Sequence, residues 1–227
     1  MNRFKKTIHL LMVVLFLLPL AAAADYETAI DAYLKGDYKT ALHEFKVIAK
    51  QGDPKALFHL GNMYENGKGV PKSLTKAAKW YLKSAEKGYA NAQYNLGVSY
   101  YNGEGVKKSY KNAVKWWRKA AQQGVDDAQL NLGIAYAKGE GVKQDLVKSY
   151  MWANIASTYG NVESKKFIEH IVYSITLKQM NDGEKLSNDW LDKYEYPSPN
   201  PLRGRGYFNF YSSIPWAIIS SASSLFS

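Results

Sequence analysis

Residues 101–108 read YNGEGVKK, two glycines around a glutamate with two lysines behind them. Such a composition could fold as a nest of backbone amides around a phosphate. Ser73 and Ser84 each precede a lysine by three residues, in SLTK and SAEK, the spacing of nucleophile and lysine in serine enzymes that open β-lactams. His9, His43, His59 and His170 could serve as bases or metal ligands. Tryptophans could stack on a sugar or form an aromatic cage.

Context removes most of this chemistry. The phrase YNGEGVKK returns as YENGKGVPK at 64–72 and as YAKGEGVKQ at 136–144, thirty-six residues to either side. A phosphate loop is normally built once per domain, whereas a phrase at a fixed period marks a stacked unit, so these glycines are read as turns. Neither serine motif is accompanied by an S-D-N or K-T-G segment, and Ser73 stands where a helix cap is expected. No histidine has a helical i, i+4 partner suited to zinc, and the chain has no cysteine, hence no disulfide and no thiolate metal site. The sequence therefore predicts no catalytic residue, cofactor or metal.

The period extends far beyond the glycine phrase. Gly52, Gly88, Gly124 and Gly160 are thirty-six apart, as are Gly61, Gly97 and Gly133, Leu60, Leu96 and Leu132, and Trp80, Trp116 and Trp152. Within AQYNLGVSY, Ala92, Leu96 and Tyr100 fall four apart, and NAVKWWRKAA groups its alanines and tryptophans by the same rule, so each unit holds two helices around the glycine turn. Asp37, Ser73, Ser109 and Asp145 share the step and precede each second helix, as N-caps do. Gly67, Gly103 and Gly139 follow each first helix and suit a left-handed cap, while Gly61, Gly97 and Gly133 lie mid-helix, where close helix approach must offset their poor propensity. The Trp80 series is assigned to the core, and Trp117, beside it, is the tryptophan free to be exposed. A valine at Gly97 is expected to destabilise strongly, and an alanine at Asn62 is not.

The pattern A-x-x-x-L-G-x-x-Y-x-x-G-x-G-V followed by A-x-x-W-x-x-x-A-A-x-x-G resembles the Sel-one-like repeat, a branch of the tetratricopeptide-repeat-like superfamily. Three copies fit, at 53–88, 89–124 and 125–160, the last with Ser149 where the others have alanine. Residues 25–52 read as a shortened N-terminal helix pair without the Gly-x-Gly turn, and 161–196 resemble the capping helices that close such arrays, with Thr176 and Gln179 spaced as a capping box. The resemblance implies an all-α fold, a right-handed α-solenoid of helix-turn-helix repeats, and adaptor work. Some exported relatives associated with β-lactams are cysteine-rich, and this chain is not.

Tetratricopeptide geometry turns the first helices toward a concave face. The expected groove is lined by Phe58, Asn62, Tyr94, Asn95, Tyr101 and Asn131: aromatic anchors, with amides to grip an extended peptide backbone. Alanine at Tyr94 and Tyr101 is expected to weaken capture and spare folding, on the reading that neither occupies a repeating series.

The ends carry the remaining expectations. MNRFKK, an apolar run through Leu20 and an alanine cluster read as a signal peptide over 1–24, placing the protein in the periplasm or outside a bacterial cell. Its removal takes Arg3, Lys5 and Lys6 and lowers the formal charge from +10 to +7. The basic balance favours a protein or peptide partner with acidic surface, or an anionic envelope component or membrane surface, over nucleic acid. Residues 197–227 read as a proline-rich linker and apolar tail able to touch a membrane or partner. The leading expectation is an exported, non-enzymatic scaffold; the alternatives are a cell-wall or β-lactam-acting hydrolase and a secreted host-interaction effector.

Overall fold

The computed structural model describes residues 26–194; the signal-like segment and the tail lie outside them. The described residues form helices joined by short turns, with no strand among them. Two compact units divide the chain between Ala92 and Gln93. The first holds α1 (26–34), α2 (Tyr38–Lys50), α3 (Pro54–Asn66) and α4 (Leu74–Glu86); the second holds most of α5 (Ala90–Asn102), then α6 (Tyr110–Ala121), α7 (Asp126–Lys138), α8 (Leu146–Thr158), α9 (Val162–Ile171) and α10 (Leu177–Lys193), with a 3₁₀ turn at Val172–Ser174.

Caps set where the second helices begin. The side chains of Asp37, Ser73, Ser109 and Asp145 accept from the backbone amides of Thr40, Lys76, Asn112 and Lys148 at 3.1, 3.4, 3.3 and 2.9 Å, satisfying amides that lack an intrahelical acceptor. The Gly-x-Gly turn does more than end a helix. Gly67 and Gly139 take φ of 70° and 73° as left-handed caps, but the second glycine of these two turns is pressed against the preceding repeat. A Cβ at Gly69 would lie 2.6 Å from the Tyr38 carbonyl oxygen, and one at Gly141 would lie 2.4 Å from the Tyr110 backbone.

The mid-helix glycines make room for rings. A Cβ at Gly61 would lie 2.5 Å from the Tyr81 ring, and one at Gly97 would lie 2.4 Å from Trp117. Trp117 is therefore 1 % exposed, and the expectation that it could face solvent is corrected: the residue after each series tryptophan, not the series tryptophan, fills the space above the glycine. Trp116 and Trp152 are buried as expected, while Trp80 is half-buried beneath the Lys83 ammonium, 4.7 Å from its centroid. In the third repeat Ala153 replaces the ring and α8 comes closer, its Ser149 carbonyl 3.1 Å from a Cβ placed at Gly133. The Ser149 hydroxyl donates to the Gly133 carbonyl at 2.7 Å, which satisfies a polar group at a position that holds alanine in the other repeats.

Asn161 links two helix starts. Its Oδ1 caps α9 by accepting from the Ser164 amide at 2.8 Å, while Nδ2 donates to Asp126 at 3.2 Å and Asp127 at 3.1 Å in the first turn of α7. α10 closes the second unit against α8, with Trp190 edge-on to Trp152 at 5.6 Å and the Asn154 amide donating to Ser187 at 2.8 Å. The Thr176–Gln179 capping box is formed. No helix among the described residues is long and apolar enough to cross a membrane.

Candidate interaction faces

Each unit has its own first-helix surface. In the first unit Phe58 is 4 % exposed and packs edge-on against His59 at 5.6 Å and Tyr89 at 5.2 Å. Asn62 and Glu65 are half-buried, one turn apart on α3, and both reach the Tyr81 hydroxyl, which lies 2.8 Å from the Glu65 carboxylate and also bonds Asn62 Oδ1. The ring that fills the Gly61 space is itself fully buried, and its hydroxyl meets two half-buried acceptors from below. His59 is a packing histidine: its ring stacks on Phe45 at 4.7 Å with a 6° tilt, and Nε2 lies 3.0 Å from the Tyr26 hydroxyl. Desolvation pulls its pKa from 6.5 to about 4, only partly opposed by the Asp53 charge.

In the second unit Tyr94, Asn95 and Asn131 are 6, 7 and 2 % exposed. The Asn131 Nδ2 meets no acceptor among the described residues. Tyr101 is the accessible member, half-buried, with its ring 5.3 Å from Trp117 and 5.0 Å from Tyr110. Its hydroxyl donates to Glu140 at 2.9 Å, reaching from the first helix of one repeat to the turn of the next. Burial, then the Glu140 hydrogen bond and charge, raise the Tyr101 pKa, so the phenol stays protonated and remains a donor. Lys138 is half-buried, its pKa lowered by desolvation although Glu140 opposes the shift.

The six groove residues therefore separate by depth. Phe58, Tyr94, Asn95 and Asn131 lie behind the surface, whereas Asn62 and Tyr101 reach it. Phe58, Tyr94 and Leu130 do form a thirty-six-step series of large apolar side chains, all buried, so the expectation that alanine at Tyr94 spares folding is corrected: it would open a cavity. Glu140, a residue of the glycine turn, pairs with Tyr101. The two S-x-x-K serines are both committed: Ser73 caps α4, and Ser84, fully buried, donates to the Pro54 carbonyl at 2.6 Å.

The Sel1 repeat family model matches residues 54–89, 90–125 and 126–161, each boundary one residue beyond those read from the spacing. The chain is a Sel1-repeat protein. Its fold class is that of all-α helix-turn-helix solenoids. A solved Escherichia coli structure with an SLR fold, the protective antigen c5321 of uropathogenic strains, is 34 % identical, with a TM-score of 0.70 over 76 % of this chain and 38 % of that one. A Sel1 repeat protein from Oxalobacter formigenes is 33 % identical, with a TM-score of 0.61 over 66 % of this chain and 45 % of its own. The rat DAP3-binding cell death enhancer 1 is 44 % identical over 52 residues, 23 % of this chain and 10 % of that one. The Sel1 chain here spans less than half the length of each of these relatives.

Proposed function

We propose that this Sel1-repeat chain is an exported, non-enzymatic scaffold that binds a protein partner along its first-helix face. One observation carries the reading: the repeats hold their caps, turns and glycine contacts at a fixed step while the accessible first-helix positions change chemistry. Lys55, Asn91 and Asp127 are equivalent, as are Glu65 and Tyr101 in the first two repeats, and all five are exposed or half-buried. A frame kept constant under a varying surface suits recognition of an irregular polypeptide. Export is supported by the signal-like opening of the chain. Contact with an anionic envelope component or membrane surface through the basic charge and the tail would be secondary to this face.

A photo-crosslinking residue at position 62 or 101, with one at the 90 % exposed Tyr173 as the comparison, tests the assignment in native envelope. Capture of one partner from 62 and 101, and not from 173, is the expected result. Equal capture from all three positions would sink it.

A further inference from the structure

In the first unit, α2 and α4 border an open groove of about 550 Å³. Its floor is apolar, made by Ala49, Leu57 and Trp80. Its rim is cationic: Lys46 and Lys50 stand on α2, and Lys83 and Lys87 stand on or just beyond α4, against Glu86 as the acid in the lining. All four lysines are exposed, and none is in an ion pair with a carboxylate among the described residues. On each side the two lysines are four residues apart near a helix C-terminus, an arrangement in which their mutual repulsion offsets the favourable pull of the helix dipole on each. The repeat frame does not require it, because the positions thirty-six residues on hold Leu82, Glu86, Lys119 and Gln123.

We propose that this groove binds an acidic polypeptide segment, with an apolar side chain seated on Ala49, Leu57 and Trp80 and flanking carboxylates held by the four lysines. Charge complementarity selects the occupant. The chain's own tail is a poor candidate, because nothing after Glu195 is acidic and Arg203 and Arg205 add positive charge. An acidic saccharide would need neutral hydrogen-bonding side chains for its hydroxyls, and the lining is lysine, glutamate, glycine and apolar groups. Base stacking on Trp80 would compete with the Lys83 ammonium, which already lies 4.7 Å from the ring centroid. A flat bilayer would not reach a half-buried Trp80 on a groove floor. The lining includes neither Asn62 nor Tyr101, so the site stands or falls separately from the first-helix reading.

The test uses the full chain and fluorescein-labelled octapeptides in which glutamates, or glutamines, flank a central Leu-Phe pair. Anisotropy should show binding of the glutamate peptide that weakens with salt, with about tenfold weaker binding for the glutamine peptide. Lys46→Glu combined with Lys83→Glu should weaken it by about tenfold or more, while Lys165→Glu combined with Lys166→Glu, both exposed on α9, should not. Circular dichroism verifies folding of both variants. The proposal is overturned if the glutamate peptide fails to bind, if both peptides bind alike, or if the groove variant binds normally. It is equally overturned if anionic vesicles, oligothymidylate or a second copy of the chain, followed by sedimentation, depend on the groove lysines while the peptide does not.

Discussion

His59 makes the folded protein sensitive to acid through a single ring. Above its ordinary pKa of 6.5 the side chain is neutral in both folded and unfolded chains and adds no pH dependence. Below 6.5 the unfolded chain takes a proton that the folded site refuses until about pH 4. Stability should therefore fall by up to about 1.4 kcal/mol per pH unit across that window. The Asp37 and Asp145 carboxylates act lower: their cap bonds hold both below the ordinary 3.8, so the stability they contribute is lost as pH falls further. Urea melts at pH 7 and pH 4.5 should show His59→Phe losing clearly less stability on acidification than the native chain. Equal losses would mean that the ring is already hydrated. At the same scale, Gly97→Ala drives a methyl to 2.4 Å from a buried indole and should cost about 2–3 kcal/mol. Gly133→Ala meets the Ser149 carbonyl at 3.1 Å and should cost about 1 kcal/mol, because a small shift of α8 relieves it. A smaller loss for Gly97→Ala than for Gly133→Ala in the same melts would reverse this assignment.

At the scale of elements, helix starts are tied to one another as well as capped. Asn161 closes α9 and also binds Asp126 and Asp127 at the start of α7. Asn161→Ala should cost about 2 kcal/mol, a cap plus a link between repeats, whereas Ser109→Ala, which loses a cap alone, should cost about 1 kcal/mol. Matching losses in thermal melts would show that the aspartates do not need Asn161. The caps, glycine turns and helix pairs were legible from spacing because each depends on a local backbone requirement that few residue types meet. Trp117 was not legible: adjacent residues on a helix point about 100° apart, and spacing alone does not say which of Trp116 and Trp117 faces Gly97. Depth was hidden for a similar reason. A position turned inward in tetratricopeptide geometry can still be covered, as Tyr94 and Asn131 are, and the Tyr101–Glu140 pair joins residues whose neighbourhood depends on stacking across repeats.

For the whole molecule, helices pack mainly on their neighbours in sequence, so stability is distributed repeat by repeat. Opening should therefore begin at the ends. Tyr173, 90 % exposed, sits in the connection to α10, and Leu177, 69 % exposed, opens that helix; the helix over 26–34 ends the described chain on the other side. Native-state hydrogen exchange should release amides there and at 171–177 well before those of α6 and α7. Uniform exchange along the chain would mean one cooperative block. The glycine-and-ring contacts also limit how such an array can be lengthened or shortened. Gly61 is matched to Tyr81, Gly97 to Trp117 and Gly133 to the smaller Ala153, twenty residues apart in each case. A duplication or deletion whose crossover falls after Gly124 keeps each glycine with the side chain shaped for it. One whose crossover falls in the Gly103–Ser109 turn joins a glycine to another repeat's filler, leaving a void or a clash. Inheritance of these repeats as intact modules is thereby built into a contact inside each hairpin.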